Sequence, residues 1–167
     1  MDSREPNVFA RGAILSIDYG RARMGLAIAD SNARMARPLG TLERVNRNED
    51  MRRLRELVRE HGVRQILVGL PLRLDGTRGE MAEEAERFAQ RVRKQIGVPV
   101  EMMDERLTTW EAERLLEETQ GRFMHEEKSA GAKNKKKAPS KVTVDSVAAA
   151  VILKEYLERQ EQPAEKT

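Results

Sequence analysis

The feature that most constrains the fold is a pair of apolar segments joined by a very short polar connection. The segments are Ile14–Ile17 and Met24–Ala29, and between them lie Asp18, a glycine and two arginines. So short a connection favours two antiparallel strands, the first over Ala13–Asp18. That strand ends on a carboxylate, which is either a turn residue or a group facing a metal ion or a phosphate.

Downstream, apolar residues alternate between helical spacing and short continuous runs. Helices are predicted at Asn46–His61, Met81–Ile96 and Lys141–Glu158, and strands at Met24–Asp30, Pro38–Glu43 (a weak one), Gln65–Leu70 and Val98–Met103. Thr77 and Glu80 have the spacing of a capping box, which Thr108 and Glu111 repeat before another helix in DERLTTWEAERLL. Antiparallel strands followed by helix-connected strands predict an α/β fold of three layers, with a mixed five-stranded sheet and helices on both faces.

The composition excludes several kinds of site and protein. The chain has no cysteine and only two histidines, so disulfides, thiolate metal sites and a histidine-based nucleophile relay are not expected. No apolar run approaches the ~18 residues of a transmembrane helix, and the first residues are polar, unlike a secretory signal. We therefore expect a cytoplasmic protein without a membrane partner, with a single domain over residues 1–167 and a core at about 12–158.

Positive charge is concentrated in one segment, Gly121–Lys141. It contains seven Lys or Arg and two Glu, whereas the whole chain carries a net charge of only +3. Its lysines include Lys133, Lys135, Lys136, Lys137 and Lys141. The segment is expected to be a flexible basic loop, which either contacts a polyanion such as nucleic acid or is simply solvated.

Carboxylates are predicted at the ends of elements that can meet at one rim of the sheet. Asp18 closes the first strand, Asp104 and Glu105 close the last one, and Asp145 lies in the first turn of the last helix. Carboxylates suit Mg²⁺, and two such ions can activate a water and stabilise the leaving oxygen of a phosphodiester. Each of these residues can also serve a turn, a helix end, an ion pair or the surface.

Arginines stand next to these acids. Arg21 and Arg23 follow Asp18, and Arg106 follows Glu105, so their guanidinium groups either hold phosphates or are solvated. Residues 77–79 open a predicted helix, and their backbone N–H groups either bind a phosphate or serve ordinary capping.

Four motifs carry a resemblance to a known family. In order, they are IDYGRARMGLA, ILVGLPLRLDGTRG, DERLTTWEAERLL and KVTVDSVAAAVIL, spread over roughly Gly12–Leu157. They resemble the successive motifs of the YqgF (RuvX) family. The resemblance implies a ribonuclease H-like fold, similar to that of the RuvC resolvase, and a nuclease that matures the 5′ end of pre-16S ribosomal RNA. Some members of that family were first described as candidate Holliday junction resolvases.

By position, the resemblance implies that Asp18, Glu105 and Asp145 are catalytic. It implies Mg²⁺ or Mn²⁺ as the cofactor, with Asp104 beside Glu105 as a further metal ligand. The segment HEEKSAGAKNKKKAPSK looks longer than the family's usual Gly/Lys connection, which leaves the clearance for substrate there open.

Several functions remain open at this point. A nuclease processing pre-16S rRNA would have structured RNA and ribosomal particles as partners. A Holliday junction resolvase would act on branched DNA as a symmetric dimer, but no dimer seam is evident, so monomer and homodimer both stay open. An actin-like ATPase would need two copies of the fold, and 167 residues hold one. A non-catalytic module would bind RNA without cleaving it.

Overall fold

Five strands and three helices make up the part of the chain described by the computed structural model, which is residues 12–30, 35–71, 75, 77–104 and 142–161. The strands are β1 (Ala13–Asp18), β2 (Arg23–Ala29), β3 (Arg37–Glu43), β4 (Val63–Leu70) and β5 (Val100–Asp104). The helices are α1 (Arg47–His61), α2 (Glu80–Ile96) and α3 (Val144–Glu161).

The strands form one mixed sheet in the order β3-β2-β1-β4-β5. β2 runs antiparallel to both β1 and β3, whereas β4 runs parallel to both β1 and β5. The predicted hairpin and the mixed five-stranded sheet are therefore confirmed. β3 pairs along most of its length, so it is stronger than the sequence pattern indicated.

Alternation along the strands divides the apolar residues between two cores. Successive residues of a strand point to opposite faces, so Leu15 and Ile17 pack with α1 and α2, whereas Ile14 packs with α3. The first core also contains Met24, Leu26, Met51, Leu54, Ile66, Val68, Phe88 and Val92. The second contains Ala27, Leu67, Met103, Ala149, Ile152 and Leu153. Helices thus cover both faces, which confirms the three layers.

α1 begins and ends where its sequence predicts. The Asn46 side chain accepts a hydrogen bond from the Glu49 backbone N–H (2.9 Å), and Gly62 ends the helix in the left-handed conformation with φ 62°. Gly62 leads directly into β4, so the N-terminus of α1 points toward the carboxyl end of that strand. α2 follows β4 and begins at the same end, which places the start of both helices near the carboxyl ends of β1 and β4.

Predictions at the starts of α2 and α3 were wrong. Asp75 Oδ1 accepts hydrogen bonds from both the hydroxyl (2.6 Å) and the backbone N–H (2.9 Å) of Thr77, so Thr77 does not cap α2, which begins at Glu80 after Gly79. α3 spans Val144–Glu161 rather than Lys141–Glu158.

Two further predictions lie outside the described residues: the helix in DERLTTWEAERLL and the basic loop at 121–141. None of the helices in the described ranges is both long enough and apolar enough to cross a membrane.

Candidate active site

Asp18 stands at the carboxyl end of the central strand β1, directly before the hairpin loop. Its Cα is paired across the ladder with that of Gly25 on β2. The loop itself requires a glycine at position 20, because a Cβ there would lie 2.2 Å from the backbone oxygen of Arg23. The tight turn therefore has a local structural cause, and it leaves Asp18 at the rim of the sheet.

The first turn of α3 sits directly on β2 at Gly25. A Cβ on Gly25 would lie 1.9 Å from the backbone oxygen of Asp145 and 2.8 Å from the backbone nitrogen of Ser146. Because Gly25 is the ladder partner of Asp18, this contact brings Asp145 to the same rim as Asp18. The glycine acts here by its lack of a side chain, since any larger residue would hold the helix away.

Hydrogen bonds fix the start of α3 in this position. The Thr143 side chain accepts from the Ser146 backbone N–H (3.1 Å), and the Thr143 backbone N–H donates to Ser146 Oγ (2.8 Å). This reciprocal pair is a capping box with serine in place of the usual glutamate. The Thr143 hydroxyl also shares a 2.5 Å hydrogen bond with that of Thr41 on β3, so the helix is tied to two strands.

Asp104 ends β5 at the same rim, with β4 between it and Asp18. Its ladder partner is Leu70, the last residue of β4. Two strand spacings put the backbones of β1 and β5 about 10 Å apart. Within the described ranges, no three carboxylates or histidines are grouped closely enough to hold a metal ion. Glu105, the remaining acid of the predicted triad, lies outside those ranges.

Both arginines that follow Asp18 pair with carboxylates. Arg23 Nε lies 2.6 Å from Asp145 Oδ2, and Arg21 forms a two-pronged contact with Glu84 on α2 at 2.8–3.1 Å. The hydrogen bonds between Arg21 and Glu84 raise the pKa of the guanidinium and lower that of the carboxyl. Of the predicted phosphate-binding residues, Arg106 and Lys133, Lys135, Lys136, Lys137 and Lys141 lie outside the described residues.

An ion pair between the half-buried Arg44 and the buried Asp50, which the sequence did not indicate, supports the hairpin loop. Arg44 Nε lies 3.1 Å from Asp50 Oδ2, and the Asp50 side chain is only 2% exposed. Arg44 also donates to the backbone oxygen of Gly20 (3.1 Å) and to the Tyr19 hydroxyl (3.0 Å), and it lies over the Tyr19 ring. Burial lowers the pKa of Arg44, but its hydrogen bonds to Tyr19 and Asp50 outweigh burial and raise the pKa overall.

That network was missed because each of its residues looks ordinary in the sequence. Arg44 is one of many arginines, and Asp50 lies in the first turn of α1, where acidic residues are common and usually exposed. The Thr77 backbone N–H, one of the groups considered for phosphate binding, is already bonded to Asp75.

A match to a protein-family model shows which family the chain belongs to. The family model described as "RuvX: Holliday junction resolvase" matches residues 12–159. The chain belongs to the RuvX family. The resemblance drawn from the four motifs is thereby confirmed.

RuvX relatives match along almost their whole length. A protein from Anaeromyxobacter sp. (strain K) is 41% identical over 145 residues, which cover 87% of this chain and 96% of the relative. One from Koribacter versatilis (strain Ellin345) is 37% identical over 156 residues, covering 93% and 92%. Both carry the name "Putative pre-16S rRNA nuclease".

Among solved structures, this RuvX chain is similar to T. thermophilus RuvC in complex with a Holliday junction substrate. The TM-score is 0.53 at 15% identity, covering 89% of this chain and 95% of the other. A likeness at that identity concerns the fold, and it confirms the ribonuclease H-like α/β architecture.

Proposed function

We propose that this protein is a divalent-metal-dependent nuclease that processes the 5′ end of pre-16S ribosomal RNA. The observation that carries the proposal is the contact between Gly25 and the first turn of α3, which brings Asp145 to the rim beside Asp18. The full-length relatives named for that activity support the choice of substrate.

The donor set at the rim fits Mg²⁺ or Mn²⁺. Asp18, Asp104 and Asp145 offer carboxylate oxygens, and the chain has no cysteine that would favour a softer metal. The described carboxylates are not grouped closely enough to hold the ion by themselves; Asp18 and Asp145 would hold it together with Glu105, with Asp104 as a further ligand. When bound, such an ion polarises a phosphodiester and lowers the pKa of an attacking water.

The chain's own residues position the acids and compensate their charge. Arg23 neutralises Asp145, and because the Arg23 side chain is 64% exposed it can also reach a phosphate beside that carboxylate. Arg21 is held by Glu84 on α2, which fixes the direction of the hairpin loop. Arg44 fixes the same loop from the other side through its bond to Gly20.

The remaining parts of the proposal concern context. The basic segment of the protein would bind the RNA backbone through its local excess of positive charge, which includes Lys133, Lys135, Lys136 and Lys137. We place the protein in the cytoplasm, as one domain that works on structured RNA within ribosomal particles. Either a monomer or a homodimer is compatible with this role.

A second candidate is resolution of four-way DNA junctions, which the description of the matching family model favours. Both candidates are tested by offering the purified protein a 5′-extended 16S rRNA precursor and a four-way DNA junction, with Mg²⁺ and with chelator. We expect cleavage of the precursor that disappears in chelator. Cleavage of the junction alone would favour the second candidate, and full activity in chelator would contradict the metal mechanism.

A further inference from the structure

Two arginines that have no carboxylate partner among the described residues lie near the loop that follows Asp18. Arg47 is the first residue of α1, and Arg91 lies on α2, about one turn after Phe88. The Phe88 ring packs against the ring of Tyr19, with centroids 5.3 Å apart, and Tyr19 directly follows Asp18. Arg91 therefore lies on a helix that contacts Tyr19, and Arg47 lies on a helix whose Asp50 pairs with Arg44, which in turn bonds Tyr19 and Gly20.

Two carboxylates of α1, Asp50 and Glu49, are paired with other arginines. Arg44 lies nearby, but its charge is matched by Asp50. Glu49, in the first turn of α1, forms ion pairs with Arg52 at 2.6 Å and with Arg53. Among the described residues, no carboxylate forms an ion pair with Arg47 or Arg91.

The positive charge of Arg47 disfavours the positive charge of Arg91. Burial, followed by the positive charges of Arg47 and Arg44, lowers the pKa of Arg91. Asp50 and the Tyr19 hydroxyl favour its charge, but less strongly. The N-terminus of α1 adds partial positive charge at the same place. An anion bound here would relieve this repulsion.

We propose that Arg47 and Arg91 bind adjacent backbone phosphates of the nucleic acid whose cleavage is proposed above. This inference rests on that proposed function, because it supplies the polyanion. The contact would lie on the α1–α2 side of the sheet, whereas Asp145 approaches Asp18 from the α3 side. The nucleic acid would therefore be held on both sides of the rim, which fixes its backbone relative to Asp18.

The test compares two double variants with the same loss of charge. R47Q/R91Q removes the proposed contact, and R59Q/K94Q removes two positive charges near the other ends of the same helices. Both are made in a D18N background so that bound RNA stays intact. Affinity for a fluorescently labelled single-stranded RNA is measured by anisotropy over a series of salt concentrations in Mg²⁺ buffer.

We expect R47Q/R91Q to flatten the slope of log K against log salt by about 1.4, since each lost phosphate contact on a single strand removes about 0.7. If the plots for the variant and the parent meet near 1 M salt, their affinities differ about 25-fold at 0.1 M. R59Q/K94Q should stay close to the parent. The variant R47K/R91K should keep most of the slope, because it preserves the charge, and R47Q alone should show about half the effect.

An equal slope for R47Q/R91Q and R59Q/K94Q would overturn the inference while leaving the nuclease proposal intact. A D18N parent that binds neither RNA nor a four-way DNA junction would overturn the proposed function and this inference with it. Melting temperatures of all variants exclude loss of fold as the cause, and R47Q carries the test if R91Q unfolds the chain.

Discussion

Replacing Gly25 by alanine should separate the start of α3 from the sheet. The added Cβ would lie 1.9 Å from the backbone oxygen of Asp145, and contacts of this kind are essentially never shorter than 3.0 Å. The helix and β2 must therefore move apart by at least 1.1 Å. Both partners are backbone atoms, so no side chain can rotate away to relieve the clash.

Two consequences follow from that displacement. Overpacking of this size costs about 1–3 kcal/mol, which is a fall in melting temperature of roughly 2–12 °C for a chain of this length. A misplacement of about 1 Å at an active site can also cost ~100-fold in rate. We expect Gly25→Ala to lower the cleavage rate by about that factor at a temperature where the variant remains folded.

Gly62→Ala provides the matched control. Gly62 has φ 62°, and a Cβ there meets no atom within 4 Å, so alanine costs about 1 kcal/mol of backbone strain without moving any neighbour. It lies at the end of α1 remote from the rim. Circular dichroism gives the melting temperatures, and initial rates on the 5′-extended precursor give the activities. If Gly25→Ala cleaved as fast as Gly62→Ala, the contact would not position the site.

Three further predictions concern other parts of the molecule. Asp50→Asn should cost about 3 kcal/mol, because it leaves the half-buried Arg44 without its counter-charge. A urea melt measures this loss, and the double change R44M/D50L should recover part of it. The pKa of Glu49 is lowered to about 2, chiefly by its hydrogen bond with Arg52. The contribution of the ionised Glu49 to stability is therefore complete above pH 4.5, the ordinary pKa, and is lost as the pH falls through about 2. An NMR titration should find that low pKa, and Arg52→Gln should raise it toward 4.5. Changing the basic cluster Lys133, Lys135, Lys136 and Lys137 to glutamine should reduce the slope of log K against log salt for RNA binding by up to about 0.7 per lost contact. An unchanged slope would mean that the cluster is only solvated.

Local patterns sufficed to predict most of the sheet and the ends of α1. The short connection after Asp18 has few solutions other than a hairpin, and Asn46 and Gly62 act on the backbone of their own helix. The start of α2 shows the limit of such patterns. Thr77 has the right spacing for a capping box, but the nearby Asp75 takes both of its hydrogen-bond donors.

Contacts between residues far apart in the chain were beyond the reach of sequence patterns. The positions of Asp18, Asp104 and Asp145 at the ends of their elements were predicted; catalysis by Asp18 and Asp145, and metal binding by all three, stay predictions. Nothing in the sequence near Gly25 indicates that a helix 120 residues later rests on it. The pairing of Arg23 with Asp145 likewise depends on that packing.

The measurement that tests the central claim most directly is the cleavage of a 5′-extended 16S rRNA precursor by Asp18→Asn. The amide keeps the shape of the side chain and can still serve a turn, but it removes the charge that would bind Mg²⁺. Asp30→Asn is the matched control, because Asp30 follows β2 at the opposite end of the same hairpin. We predict that Asp18→Asn folds and binds RNA but cleaves orders of magnitude more slowly than the wild type and Asp30→Asn. A folded Asp18→Asn protein that cleaves at the wild-type rate would contradict the account.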